Sequence, residues 1–151
     1  EVTRLLNIFQ YDNIVVTGHS LGAAFATILT VDLIQNNISA QLFNFGSPRI
    51  FNLEGAAYVS SIITTKFRES HYKDIVPHVP LNAMDYIHIS GEWYEGEGNE
   101  NKKENENKTK NKSTEIIECV GFEDVKCASQ WDATDVNTDD HMWYLQTYVG
   151  C

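Results

Sequence analysis

Residues 13–35 read N-I-V-V-T-G-H-S-L-G-A-A-F-A-T-I-L-T-V-D-L-I-Q, and this run constrains the fold more than any other part of the chain. Residues 13–17 are β-branched and apolar, which predicts a short buried strand. Leu21–Gln35 then predicts a helix that is apolar on nearly every side in its first turns, the mark of a buried helix. Only a tight turn, Gly18-His19-Ser20-Leu21-Gly22, separates the two, and it fits G-x-S-x-G. At background frequencies of about 7% per required residue, the pattern alone would arise by chance in a chain of this length with a probability of roughly 5%. The flanks supply the specificity. A strand that enters a sharp turn and leaves at once as a helix holds the tip serine in a strained backbone and aims its hydroxyl outward. The glycines are expected to let strand and helix close on each other. The helix N-terminus presents free amides to a developing oxyanion, and the N–H of Leu21, one residue past Ser20, is the expected donor.

The remaining elements follow an alternating pattern. Residues 41–45 predict a strand that ends at Gly46-Ser47-Pro48. Residues 52–63 have roughly helical apolar spacing, with Asn52 as a cap. Residues 65–69, 86–89 and 115–120 predict further strands, and residues 141–149 an aromatic-rich closing helix. Strands alternating with helices imply an α/β fold on a mainly parallel sheet, with helices on both of its faces. Residues 96–114 stand apart, because the segment has no aliphatic or aromatic side chain. Such a tract cannot bury enough surface to offset its ordering entropy, and it predicts a flexible low-complexity loop inserted between two strands.

A serine hydroxyl becomes a useful nucleophile when a histidine takes its proton and a carboxylate holds that histidine's tautomer. In chains built around this turn the order is serine, acid, histidine. Of the five histidines, His19 lies on the turn itself and is expected to pack sideways. His71 precedes any suitable acid, His78 follows Asp74 by four residues on a Pro-rich turn, and His88 reads as a strand histidine. His141 follows a polar loop and is the best base. Asp74 sits just past a predicted strand, near the sheet edge where ligands bind. Asp85, Asp124, Asp132, Asp135, Asp139 and Asp140 compete for the role of acid, and the last four read as solvated loop residues.

Several segments taken together resemble the class 3, fungal-type triacylglycerol lipase family of α/β-hydrolases. They are I-V-V-T-G-H-S-L-G-A-A (14–24), F-N-F-G-S-P-R-I (43–50), K-D-I-V-P-H-V-P (73–80), Y-I-H-I-S-G-E-W-Y (86–94) and D-H-M-W-Y-L (140–145). The resemblance places the nucleophile on Ser20, the acid on Asp74 and the base on His141. It implies hydrolysis of a lipid ester at a lipid–water interface through an acyl-serine intermediate, with no cofactor. The family carries a second glycine after the serine turn where this chain has Ala23. The family also places several strands and the first oxyanion donor before the serine. Residues 1–151 are therefore expected to form the C-terminal part of one α/β-hydrolase domain, its N-terminal strands absent, and to be inactive when expressed alone. Two other functions compete: a non-catalytic relative acting as a binding module, and an esterase acting on feruloyl-type esters.

The 11 basic and 21 acidic residues leave a net charge of −10, which argues against a nucleic-acid partner that would need clustered Lys and Arg. No apolar run approaches the roughly 18 to 20 residues of a membrane span. The chain opens at Glu1 without a signal-peptide pattern, so it is expected to be processed or a fragment. Cys119, Cys127 and Cys151 have no metal-site spacing, and read without context they are three free thiols. The family resemblance instead implies secretion, a Cys119–Cys127 bridge, and a partner for Cys151 elsewhere in the protein. Sequons at Asn37, Asn107 and Asn111 fit export.

Overall fold

A computed structural model describes residues 1–9, 13–96 and 115–150. Its elements are α1 (Val2–Phe9), β1 (Ile14–His19), α2 (Leu21–Gln35), β2 (Ala40–Phe45), α3 (Leu53–Ile62), β3 (Lys66–His71), β4 (Glu92–Glu95), β5 (Ile116–Glu118), β6 (Trp143–Tyr144) and β7 (Thr147–Tyr148). Strands β1 to β5 form one sheet in sequence order. The β1–β2, β2–β3 and β3–β4 pairs are parallel, and β5 closes the edge antiparallel to β4. The mainly parallel α/β architecture expected from the alternation is therefore present. Strands β6 and β7 form a separate hairpin.

The core lies where α2 and α3 cover one face of the sheet. Val16, Leu42, Ala26, Leu33, Val59 and Ile63 meet there, with Leu42 and Ile63 fully buried. Truncating either to alanine would cost roughly 2–5 kcal/mol, because the surrounding structure fills such a cavity only partly. Small residues let α2 approach closely. Ala23, Ala26, Thr27 and Thr30 face the sheet, and both threonine hydroxyls donate back to carbonyls one turn earlier. Asn44 of β2 donates to the Ala23 carbonyl and to the Thr27 hydroxyl, which ties the helix to the strand beside it. The outer side of α2 is different. Leu21, Phe25, Ile28 and Leu29 are 44–63% exposed, so the uniform apolar character of this helix serves one buried face and one open one. Asn52 caps α3 as predicted, accepting the Gly55 N–H at 3.0 Å.

The opposite sheet face carries a ladder of rings, Phe43 on Phe67 on Trp93, at centroid spacings of 4.9 and 5.5 Å. Toward β5 the first face becomes polar. Arg68 pairs with Glu92 at 3.0 Å with both side chains 2% exposed, and Ser70 and the Ala128 N–H also donate to Glu92. A carboxylate buried this deeply is stable because its oxygens are met by a cation and donors.

Three predicted features differ in the structure. Residues 86–89 form no strand; Ile87 makes only an isolated bridge to Phe51, and the strand lies further on, at Glu92–Glu95. Residues 141–149 are not a helix but a 3-10 turn (Asp140–Met142) followed by the β6–β7 hairpin. The hairpin's two-residue turn holds Leu145 and Gln146 at φ 49 and 60, a conformation that usually calls for Asn or Gly, so no local signal marks it. Gly22 has open space where a Cβ would stand, so only Gly18 is required by close approach: a Cβ there would lie 2.3 Å from the Gly22 carbonyl oxygen. Of the predicted 96–114 insertion, Gly96 is described and 97–114 lie outside the described residues. Its ends are adjacent, with the Gly96 N–H donating to the Glu115 carbonyl at 3.0 Å.

Candidate active site

Ser20 occupies the N-cap position of α2, where a serine ordinarily satisfies a free amide with its hydroxyl. Here the side chain makes no capping bond, and the backbone sits at φ 58, ψ −131. That is a region L-residues rarely enter, at a cost of order 1–3 kcal/mol. The Ser20 N–H donates to the Phe45 carbonyl at 3.0 Å, so the tip of the turn is fixed at the carboxyl end of β2. Leu21 is the first residue of α2, and its amide has no preceding turn to pair with.

Asp74 lies in the turn after β3 and is 1% exposed. Its Oδ1 accepts the Val76 N–H at 2.8 Å, and its Oδ2 accepts His141 Nδ1 at 2.8 Å. The tyrosine hydroxyl of Tyr144 donates to the same Oδ2. With Nδ1 donating, a neutral His141 ring has its lone pair on Nε2. The two segments, 67 residues apart in sequence, are held by a short parallel bridge: Ile75 N–H to Asn137 O at 3.0 Å, and Asn137 N–H to Lys73 O at 2.8 Å.

Two more imidazoles pin the loop that carries His141. His19 Nε2 bonds the His141 carbonyl and His71 Nδ1 bonds the Asp140 carbonyl, each at 2.9 Å; a carbonyl only accepts, so both rings are donors there. The His19 ring also stacks on His141, centroids 4.4 Å apart, and burial pushes its pKa below the ordinary histidine value. It therefore packs against His141, immediately before Ser20. Gly46 completes the contact. A Cβ there would lie 2.7 Å from the Tyr144 hydroxyl, 2.9 Å from Asp74 Oδ2 and 3.1 Å from His141 Cε1, and φ is +57. Only glycine fits at that point. Burial and the Asp74 carboxylate hold the Tyr144 hydroxyl well above its usual pKa, so it remains a donor.

The other sequence candidates fall elsewhere. His78 bridges the Asp74 and Ala128 carbonyls, and His88 bonds the Pro77 carbonyl; both are buried and bonded to backbone. Asp85, Asp132, Asp135 and Asp139 are exposed, and Asp124 accepts the Val120 and Lys126 amides. Of the acids considered, Asp74 is the one the structure brings to an imidazole. Cys119 and Cys127 are joined in a disulfide. Together with Glu92 they make the one metal-ligand grouping among the described residues, but their sulfurs are bonded to each other. Cys151 lies outside the described residues.

Sequence reasoning missed Tyr144, Gly46 and the role of His19. The only available signal was the position of Gly46 at a strand end and of Tyr144 three residues after His141.

A strained serine at a strand–helix turn, set at the carboxyl edge of a parallel sheet that also carries a buried imidazole–carboxylate pair, is the arrangement of an α/β-hydrolase fold. The chain belongs to the class 3 lipase family, whose family description, Lipase (class 3), matches residues 1–84. It is 43% identical over 82 residues to secreted mono- and diacylglycerol lipase A of Penicillium cyclopium, a match covering 54% of this chain and 27% of that one. It is 31% identical over 138 residues to secreted mono- and diacylglycerol lipase 1 of Fusarium solani, covering 91% of this chain and 38% of that one. The solved lipase–propeptide complex of Rhizomucor miehei superposes with a TM-score of 0.82 at 27% identity, over 99% of this chain and 46% of that one. The chain thus spans between a quarter and a half of the length of these relatives. Among the described residues no helix is long and apolar enough to cross a membrane.

Proposed function

We propose that Ser20, His141 and Asp74 are the nucleophile, base and orienting acid of a serine hydrolase that cleaves carboxylic esters of lipids. The observation that carries this reading is the 2.8 Å bond from His141 Nδ1 to the fully buried Asp74, at the same sheet edge as the strained Ser20 turn. Ser20 Oγ attacks the ester carbonyl carbon while His141 Nε2 takes its proton, and Asp74 stabilises the imidazolium that forms. The carbonyl oxygen becomes an oxyanion and accepts the Leu21 N–H. Collapse expels the alcohol, which receives the proton from His141, and leaves an acyl-serine. Water, deprotonated by the same imidazole, then releases the acid and restores Ser20.

The substrate class rests on the family and on relatives named as secreted mono- and diacylglycerol lipases. The same names, the disulfide and the exposed sequon at Asn37 support an extracellular protein meeting its substrate at a lipid–water interface. We read residues 1–151 as the C-terminal part of one such domain, with a low-complexity insertion at 96–114. The proposed activity is that of the whole domain, and residues 1–151 alone are inactive on this reading.

Ser20→Ala in the full-length protein tests the assignment. Hydrolysis of a short-chain nitrophenyl ester and of a monoacylglycerol emulsion should fall on the order of 10⁴-fold or more, with the far-ultraviolet spectrum unchanged. A variant that keeps most of its activity would remove Ser20 from the mechanism.

A further inference from the structure

Glu69 of β3 and Glu95 of β4 lie on the ring-bearing sheet face, in adjacent strands one pleat apart, 8% and 1% exposed. Two carboxyls buried this close on one sheet face repel each other when both are charged, and a proton held on one of them relieves that conflict. Glu69 Oε1 has no hydrogen-bond partner and borders a groove of about 200 Å³ walled by Phe43, Phe45, Phe67, Trp93, Ile116 and Leu145. The proposed mechanism uses neither acid. One oxygen of the pair is committed: Glu95 Oε2 accepts the Leu145 N–H at 2.9 Å. Leu145 is the first of the two positive-φ residues in the β6–β7 turn, and the residue before it is Tyr144. The Tyr144 ring is boxed edge-on by His19, Phe45 and His71, at centroid distances of 5.6, 6.0 and 5.7 Å, and its hydroxyl rests on Asp74.

We propose that Glu69 and Glu95 share one proton and form a pH-dependent anchor for the 143–148 hairpin, acting as positioning residues that set Tyr144, and through it Asp74 and His141. This rests on the catalytic reading above. The turn gives the anchor something to oppose. Leucine and glutamine disfavour the left-handed region, so the hairpin holds its shape through outside contacts, of which the Glu95 bond is the one at the strained residue. The titratable groups facing the pair are Tyr144 on the hairpin and, beyond it, His19, His71, Asp74 and His141; β2 presents Phe43 and Phe45, while β5 presents Ile116 beside Glu95 and the exposed Glu118 opposite Trp93. Burial and the Glu95 carboxyl beside it raise the Glu69 carboxyl from the ordinary value of 4.5 to about 7. Below that pH the pair holds a proton and one charge. Above it two carboxylates face each other in an apolar wall, and one must turn away.

The test is made on the full-length protein that contains residues 1–151, as wild type, Glu69→Gln and Glu95→Gln. Amide exchange across residues 143–148 is measured from pH 6 to pH 9 beside kcat and KM. The wild type should lose protection in this hairpin by about tenfold beyond the intrinsic rate change, the scale of one hydrogen bond to a charged group. Its kcat should fall over the same range, with KM little changed. In Glu69→Gln an amide donates to Glu95 at every pH, so both changes should vanish. Glu95→Gln should lower protection at all pH values. Equal pH dependence in wild type and Glu69→Gln, in exchange and in kcat, would overturn the anchor. A wild type without ester hydrolysis would sink the catalytic reading, while the exchange arm would still decide the anchor.

Discussion

Tyr144 and His141 converge on one oxygen of Asp74, three residues apart in the chain and on the same side of it. Two donors on Oδ2 keep the carboxylate from rotating, and a carboxylate that cannot rotate keeps the imidazole aimed. Tyr144→Phe removes one donor and leaves the ring in its box. Its kcat should fall about tenfold or more, as for loss of a hydrogen bond to a charged group, with a lowered melting temperature but an intact fold. Steady-state kinetics beside thermal unfolding checks this; an unchanged kcat would show that Val76 and His141 suffice to hold Asp74. Gly46 sets a complementary limit, since any side chain there would push Tyr144, Asp74 and His141 apart.

At the scale of elements, the loops are held to the sheet by buried charge. Glu123 accepts Arg49 Nε at 2.8 Å and the His88 N–H at 3.1 Å on one oxygen, and Arg49 Nη2 at 3.1 Å and the Ser129 hydroxyl at 2.8 Å on the other. Burial pushes this carboxyl up, but Arg49 and its other partners outweigh burial and bring it from 4.5 down to about 2. A depressed acid stabilises the fold above its unfolded pKa and loses that contribution as pH falls through the folded one, so the window runs from about 4.5 to about 2. The shift corresponds to about 3 kcal/mol. Glu123→Gln should lose about that much at neutral pH and lack the acid limb in a plot of thermal stability against pH; an unchanged limb would contradict the assignment. The edge hairpin makes a second prediction. Because Gly96 and Glu115 are already hydrogen-bonded, replacing residues 97–114 with a short Gly/Asn turn should shift stability by no more than about 1–2 kcal/mol, measured by denaturant unfolding. A larger loss would mean the tract packs on the domain.

What the sequence made legible at this scale follows from where each signal sits. The 13–35 run and the Asn52 cap are local patterns, and they appear as β1, α2 and α3 to within a residue or two. Asp74 and His141 were readable because chain order and strand ends constrain them. The β6–β7 hairpin was not, since Leu145 and Gln146 adopt turn geometry against their own preference and the aromatic spacing imitates a helix. Tyr144 and Gly46 touch across about 98 positions, a distance over which pattern carries no signal.

For the molecule as a whole, the sheet and the disulfide-stapled 119–127 loop form a scaffold with its chemistry at one edge. The outer face of α2, with Leu21, Phe25, Ile28 and Leu29, opens beside that edge, while the core helix contacts lie behind it. The central claim is that this edge turns Ser20 into a nucleophile through His141 and Asp74. The most direct measurement is covalent labelling of the full-length protein that contains residues 1–151 with a fluorophosphonate, followed by peptide mass mapping and by labelling rates for His141→Ala and Asp74→Asn. A single adduct on Ser20, formed orders of magnitude more slowly in both variants, is the predicted result. Labelling at another residue, or undiminished labelling of Ser20 without His141, would contradict it.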